Sequence, residues 1–197
     1  SDVYKRQGSS EEDQRNYFRI IQSNSDLLLR LINDILDLSR LEANKVILTP
    51  EDCDVVQLCR QALSSVEMSR RESGNRFVFE TKTDSFVLQT DIQRLQQVLI
   101  NLLTNAAKFT KNGTITLQFE VEKEKNRVLF AVADTGCGIP KEKQKQVFER
   151  FEKLNEYAQG TGLGLSICKL TVDKWGGDIW IDPDYEDGAR FVVSHPL

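Results

Sequence analysis

The chain has 197 residues, with 26 lysines and arginines against 30 aspartates and glutamates, a formal net charge of −4. Its 40% hydrophobic and 28% charged residues match an ordinary globular protein, and they exclude a collagen-like fibre, a fully disordered tail and a disulfide-stapled miniprotein. The acidic balance argues against a sequence-independent nucleic-acid binder, which needs a basic face. No apolar run reaches the ~18 residues of a membrane-spanning helix.

Four cysteines occur without a CxxC pair, and we expect them to be reduced thiols in a cytoplasmic chain. They are Cys53, Cys59, Cys137 and Cys168. Any anchor of a parent protein in the inner membrane would lie in segments outside this sequence.

The first quarter of the chain predicts one long helix. Residues 1–10 carry no apolar pattern, and we interpret them as a disordered or artefactual segment. Residues 11–43 show a heptad seam, which favours a partner helix and predicts an exposed stripe prone to self-association. Packing of this stripe on the rest of the chain is the alternative. The seam consists of Tyr17, Ile21, Asn24, Leu28, Leu31, Ile35 and Leu38.

Residues 44–197 predict a sheet interleaved with helices. Asp54 and Asp91 are placed to cap helices that run to about Ser73 and Phe109, and a third helix covers 162–175. Between Pro140 and residue 160 only one short charged helix is expected. Several strands are adjacent in sequence, which favours a mixed sheet in an α/β two-layer sandwich. The expected strands are 46–48, 76–81, 86–88, 114–121, 127–133, 178–181 and 189–194.

Two glycine clusters mark the expected site. Residues 134–138 read DTGCG directly after a buried strand, and residues 160–164 read GTGLG at the start of a helix. Glycine allows the backbone to approach a ligand closely, and a helix N-terminus presents free N–H groups to an anion such as phosphate. Each cluster alone could be a tight turn. Neither matches the P-loop or the dinucleotide-binding fingerprint.

The helix at 91–109 carries a second candidate group. Asn101, Asn105 and Lys108 share one helical face. An amide oxygen can ligate Mg²⁺, and a lysine can neutralise phosphate, although a solvated helix face is the simpler interpretation of this helix alone. Asp134, at the end of a buried strand, can accept a hydrogen bond from an exocyclic amine such as that of adenine. It could equally begin an Asx-turn.

The order of these motifs resembles the sensor histidine kinases. NLLTNAAKFT at 101–110, DTGCG at 134–138, FERF at 148–151 and GTGLGL at 160–165 resemble their N box, first glycine box, F box and second glycine box. ILDLSRLE at 35–42 resembles the second helix of the dimerisation and phosphotransfer hairpin. The resemblance implies that residues 11–43 are that helix and residues 44–197 the catalytic ATP-binding domain. It also implies the Bergerat fold, a mixed sheet with helices on one face.

The resemblance implies specific roles. Asp134 would recognise adenine, Asn105 with help from Asn101 would ligate Mg²⁺, and Lys108 would contact phosphates. Phe148 and Phe151 would anchor the base of a lid. The residues implied in ATP binding are Asn101, Asn105, Lys108, Asp134, Gly136, Gly138, Lys153, Gly160, Thr161, Gly162, Leu163 and Gly164.

By the same resemblance, the γ-phosphoryl group of ATP passes to a histidine on an upstream hairpin helix, of the same or a partner subunit in a homodimer, and then to a response regulator receiver domain. The single histidine, His195, precedes Pro196 at a predicted strand end, and proline disfavours helix at the preceding residue. We therefore expect His195 to be a surface residue rather than the acceptor. This chain should bind ATP without phosphorylating itself.

Two other functions share the motifs. A nucleotide-gated dimerisation module without catalysis would be favoured by loss of Asn105 or Asp134, and both are present. A serine kinase of the anti-sigma type would not need the hairpin helix. The related ATPases that use water begin the N box with a glutamate. Asn101 stands there and cannot take a proton, which favours phosphoryl transfer over hydrolysis.

Overall fold

The structure is a computed structural model and describes residues 11–70, 73–152 and 161–197. These residues form four α-helices and seven strands. The helices are α1 (Glu11–Glu42), α2 (Val55–Ser69), α3 (Ile92–Phe109) and α4 (Gly164–Lys174). The strands are β1 (Glu51–Asp54), β2 (Arg76–Thr81), β3 (Val87–Thr90), β4 (Thr114–Glu122), β5 (Arg127–Asp134), β6 (Ile179–Ile181) and β7 (Ala189–Pro196).

The main sheet has five strands in the order β2-β4-β5-β7-β6. The β2–β4 pair is parallel, and the other pairs are antiparallel. A second sheet of two strands pairs β1 with β3. The sheet is therefore mixed, which confirms the predicted α/β architecture. The register aligns Asp134 at the end of β5 with Ile115 of β4 and Ala189 of β7, so Asp134 lies at an end of the central strand.

One face of the main sheet carries the core. Side chains on β4 alternate, with Ile115, Leu117 and Phe119 buried and Gln118 on the opposite face beside Glu80. The buried side chains pack against α2, α3 and α4 in a single cluster. This alternation is what period-two side chains impose on a sheet covered on one side.

The helix starts follow the predicted caps. The Asp54 carboxylate accepts hydrogen bonds from the backbone N–H groups of Val56 and Gln57, and Asp91 accepts from Arg94. Both caps satisfy N–H groups that a helix start leaves without partners. The range predicted for α3 agrees with the structure within one residue, and this helix carries much of the site.

Some element boundaries differ from the predictions. No strand forms at 46–48; the strand lies at 51–54 instead, where backbone pairing with β3 overrides the poor strand propensity of three acidic residues. Helix α2 ends at Ser69, before the predicted Ser73, and its last N–H bond is from Arg70 to Glu67. The charged segment after Pro140 forms two 3₁₀ turns at 141–143 and 146–148 and no α-helix up to residue 152, while residues 153–160, the rest of the range expected to hold a short helix, lie outside the described residues.

Helix α1 is partly docked. Leu38 and Leu41 are buried against Leu163 and Ile167, so the last turns pack on α4. Most seam residues further toward the N-terminus are exposed, including Tyr17, Ile21, Leu28 and Ile35. The expected exposure of the stripe is therefore confirmed toward the N-terminus, and the alternative, packing on the rest of the chain, holds for the last turns; a partner helix and self-association stay predictions. Among the described residues, no helix combines the length and apolarity that a bilayer crossing requires.

Candidate functional site

A cavity of about 300 Å³ lies where α3, the end of β5 and the start of α4 meet α1. Its lining includes eight of the twelve residues that the sequence analysis assigned to ATP binding. These are Asn101, Asn105, Lys108, Asp134, Gly138, Thr161, Gly162 and Gly164. The fold thus gathers residues from distant parts of the chain around one space.

The other four residues divide into two groups. Gly136 and Leu163 are direct neighbours of the cavity wall, since Gly136 N–H bonds to Asp134 and Leu163 precedes α4. Lys153 and Gly160 lie outside the described residues.

Asp134 is the buried acid of the cavity. Its Oδ1 accepts hydrogen bonds from Gly136 N at 2.9 Å and from Ala189 N at 3.4 Å, and neither bond uses Oδ2. Burial raises the pKa of this carboxyl, and the two backbone N–H groups and the nearby Thr110 hydroxyl offset part of that rise. A buried carboxylate whose two backbone hydrogen bonds go to one oxygen can accept a hydrogen bond from a ligand at the other.

The backbone around Asp134 has no room for side chains. A Cβ on Gly136 would lie 2.4 Å from Phe109 O, and one on Gly188 would lie 2.1 Å from Asp134 O. Gly138 adopts a φ of +68°, which side chains disfavour. Gly188 is not among the site residues expected from the sequence. Its signal is the Asp187–Gly188 pair before β7, which looks like an ordinary turn without the contact to Asp134.

Helix α3 brings its amides to the same wall. Asn101 donates from Nδ2 to Gly164 O at 3.4 Å, which leaves its Oδ1 as an acceptor. Lys108 Nζ lies 4.8 Å from the Phe109 ring centroid. No cluster of His, Cys, Asp or Glu among the described residues could hold a metal. A divalent cation here would therefore need amide oxygens together with oxygens of a ligand, the pattern typical of Mg²⁺.

The start of α4 is open to an anion. Leu163 provides no side-chain cap, so the first N–H groups of α4 have no side-chain partner, and Gly164 and Leu165 line the cavity. Gly162, with a φ of +73°, accepts a hydrogen bond from Phe151 N at 3.0 Å. These free N–H groups and the positive end of the helix dipole favour phosphate.

The two phenylalanines of the FERF segment differ. Phe148 packs edge-on against Phe191, with ring centroids 6.1 Å apart, and so joins the core. The Phe151 side chain is exposed, and this residue holds the segment through its backbone bond to Gly162. Of the two phenylalanines, only Phe148 anchors the FERF segment by side-chain packing.

His195 lies within β7, and the expectation of a surface histidine is wrong. The residue is buried, with its ring 5.0 Å from that of Trp175, and Nδ1 lies 2.6 Å from Pro196 O. Burial lowers the pKa of this imidazole. Pairing of β7 with β5 keeps His195 in a strand, so it does not lie on a helix that could present it as an acceptor.

Comparison with known protein families decides the wider relationship. Residues 90–197, more than half of the chain, match the model described as histidine kinase-, DNA gyrase B- and HSP90-like ATPase. The chain belongs to this ATPase family. Residues 2–44 match the His Kinase A phospho-acceptor domain, so this member of the family carries part of that region as well.

Curated relatives of this histidine kinase ATPase unit are themselves histidine kinases. The chain is 38% identical over 196 residues to the circadian input-output histidine kinase CikA of Synechococcus elongatus, covering 96% of this chain and 26% of the relative. It is 32% identical to the autoinducer 2 sensor kinase/phosphatase LuxQ of Vibrio parahaemolyticus, covering 94% and 23%. The chain therefore spans about a quarter of these relatives.

Solved structures agree on the fold. Full-length ShkA in complex with AMPPNP superposes with a TM-score of 0.82 at 31% identity, covering 95% of this chain and 39% of that one. Histidine kinase ThkA in complex with response regulator protein TrrA gives a TM-score of 0.77 at 29% identity, covering 98% and 54%. These matches confirm the Bergerat-type sheet preceded by a long helix.

Proposed function

We propose that this chain is the ATP-binding catalytic part of a sensor histidine kinase, which transfers the γ-phosphoryl group of ATP to a histidine on another helix. The observation that carries the proposal is a single cavity that offers two different kinds of binding group. A buried carboxylate, Asp134, lies at one end, and the uncapped start of α4 lies at the other.

Different residues of the cavity would bind the adenine and the phosphates of ATP. Asp134 Oδ2 accepts a hydrogen bond from the exocyclic amine of adenine, which guanine lacks at that position. The first N–H groups of α4 and the Lys108 ammonium neutralise the phosphates. Gly136, Gly138 and Gly188 keep side chains away from the base, so the backbone can approach it. The complex of the relative ShkA with AMPPNP, an ATP-like molecule, supports this assignment.

The residues present fit a magnesium ion. Asn105 and Asn101 offer amide oxygens on one face of α3, and both line the cavity. When bound, Mg²⁺ neutralises charge on the phosphate oxygens. Asn101 and Asn105 would hold the ion, with the remaining ligands coming from ATP and water.

The nucleophile comes from outside the described unit. A histidine nitrogen forms a bond to the γ-phosphorus, the bond from this phosphorus to the bridging oxygen of ADP breaks, and ADP leaves with that electron pair. The protein mainly positions ATP and neutralises charge for such a transfer. Asn101 stands where water-using relatives carry a glutamate, and its amide cannot accept the proton of an attacking water.

The wider organisation belongs to the same proposal. Residues 11–43 would be the second helix of a histidine-bearing hairpin and residues 44–197 the catalytic domain, in a cytoplasmic part of a homodimeric kinase that passes its phosphoryl group to a receiver domain. The match of residues 2–44 to the phospho-acceptor family, the exposed stripe of α1 and the ThkA–TrrA complex support this arrangement.

A transfer assay tests the proposal. This chain is mixed with γ-labelled ATP, Mg²⁺ and a separate protein that bears a histidine hairpin of a related kinase. We expect acid-labile label on the histidine of the added hairpin and none on this chain. The Asn105→Ala variant should transfer at least tenfold more slowly, because it loses a ligand for the ion beside the phosphates.

The other outcomes of this assay exclude the proposal. Acid-stable label on serine would show a serine kinase. Tight ATP binding without label on any related hairpin would show a nucleotide-gated binding module.

A further inference from the structure

Helix α1 reaches the cavity with three side chains that no motif predicted. Leu27, Arg30 and Asp34 are spaced by three and four residues, so they share one face of α1, and all three line the cavity. We propose that Arg30 contacts the terminal phosphate of bound ATP, which makes α1 part of the nucleotide site. This inference rests on the proposed function of the cavity.

A cluster of polar contacts fixes the position of α1. Arg94 Nη1 lies 2.7 Å from both carboxylate oxygens of Asp37, and Gln97 Nε2 donates to the same carboxylate at 2.8 Å. This ion pair is mostly buried on both sides, with about a fifth of each side chain exposed. Together with buried Leu38 and Leu41, it holds the docked turns of α1 against α3 and α4.

Contacts at the start of α4 place Arg30 near the phosphate end. Asp34, one turn along α1 from Arg30, is hydrogen-bonded to Thr161, three residues before Gly164 at the start of α4. A Cβ on Gly164 would lie 3.7 Å from Asn101 Cγ, so Asn101 also borders the start of α4. Arg30 and Asn101 both line the cavity.

The adenine end lies further along α3. The carbonyl of Phe109, the last residue of α3, is adjacent to Gly136 beside Asp134, about 12 Å beyond Asn101 along the axis. Arg30 is therefore remote from the adenine carboxylate and close to the position of the phosphates.

The charge on Arg30 is available to a ligand. The ion pairs of the described residues do not involve Arg30. Asp34, one turn along α1, accepts a hydrogen bond at 2.8 Å from Thr161 Oγ1. Thr161 Oγ1 accepts in turn from Leu163 N at 3.3 Å. Asp34 thus bridges α1 to the start of α4, and this bridge places Arg30 beside the phosphate-binding N–H groups.

A comparison of ATP with ADP tests the inference. The parent chain, Arg30→Ala and Arg30→Lys are titrated calorimetrically with Mg-ATP and Mg-ADP. A charge-assisted contact to the terminal phosphate predicts that Arg30→Ala binds ATP about tenfold more weakly and ADP less than twofold more weakly. Arg30→Lys should recover part of the loss, since it keeps the charge without the forked donors.

Arg19→Ala is the matched control. Arg19 lies on the same helix, eleven residues before Arg30 and outside the cavity lining, so its loss should leave both affinities unchanged. Equal affinities of Arg30→Ala and the parent for ATP would overturn the inference. Equal losses for ATP and ADP would also overturn it, because the contact would then not be to the terminal phosphate. Failure of the parent itself to bind ATP would instead reject the proposed function.

Discussion

Asp134 is the residue proposed to recognise adenine, and its buried environment predicts a pH-dependent stability. Because burial raises the pKa of the Asp134 carboxyl, the folded state binds a proton at this group more tightly than the unfolded state does. The stability of the parent chain therefore falls as the pH rises above the ordinary aspartate value of about 4 through the raised value. Asp134→Asn removes this penalty at neutral pH.

We expect the melting temperature of Asp134→Asn to exceed that of the parent at pH 7, with the difference shrinking as the pH approaches about 4. Thermal unfolding across this range, with no nucleotide present, measures it. A variant less stable than the parent by a constant amount at every pH would contradict the stated cause of the pKa shift.

Gly188 and Gly164 are expected to need glycine for different reasons. At Gly188 a side chain would clash with the fold, and at Gly164 it would block the ligand. A Cβ on Gly188 meets Asp134 O at 2.1 Å, so Gly188→Ala should cost about 1–3 kcal/mol of unfolding free energy, as overpacking does. A Cβ on Gly164 would be in ordinary contact, 3.7 Å from Asn101 Cγ. Gly164→Ala should therefore fold as well as the parent but bind ATP about tenfold more weakly, because its methyl group blocks approach to the N–H groups of α4.

Thermal unfolding and nucleotide titration of both variants test this contrast. Strong binding by Gly164→Ala would place the phosphates away from α4.

For single residues, the sequence predicts the candidate site residues whose chemical type is itself informative. Residue types that are unusual for a helix, a strand end or a turn can be recognised in the sequence alone. These are Asn101, Asn105, Asp134 and the glycines. Arg30 and Gly188 are ordinary for an exposed helix and a turn. Gly188 matters through its contact with the Asp134 backbone, and the proposed role of Arg30 comes from the cavity that α1 lines together with α3 and the start of α4.

Helix α1 lies in the region matched to the phospho-acceptor family and packs on α4 of the ATPase region, and its docking is testable. Leu41 is buried in the contact with α4, whereas Leu36 of the same helix is about half exposed. Leu41→Ala should cost about 2–3 kcal/mol of docking free energy, and Leu36→Ala should cost little.

Hydrogen exchange of the α1 backbone over residues 34–42 measures the docking. Protection should fall for Leu41→Ala alone. Similar protection in both variants would mean that the buried contact does not hold α1.

The sequence predicts elements that have a capping residue and a clear apolar face, and it does not predict elements that lack such local signals. An aspartate cap and a clear apolar face defined α3. The strand at 51–54 carries three acidic residues and exists because β3 pairs with its backbone, a tertiary contact that no local pattern displays. The segment after Pro140 forms 3₁₀ turns, for which apolar periodicity gives little signal.

For the whole molecule, the exposed stripe on α1 predicts concentration-dependent self-association. Ile21 and Leu28 are about 60% exposed and lie on the heptad seam. Helix pairing would bury this apolar surface, so we expect a dimer to form as the concentration rises.

Sedimentation at several concentrations tests this, with Ile21→Glu/Leu28→Glu as the variant that should remain monomeric. Arg19→Ala, a change on the same helix outside the seam, should associate like the parent. A parent chain that stays monomeric at every concentration would contradict the prediction.

The most direct test of the central claim is a calorimetric titration of the parent chain with Mg-ATP, repeated with Mg-GTP and with the Asp134→Ala variant. If Asp134 reads adenine in this cavity, the parent binds ATP, binds GTP at least tenfold more weakly, and loses ATP binding in the variant. A folded variant that binds ATP as tightly as the parent, or a parent that binds both nucleotides equally, would contradict the account.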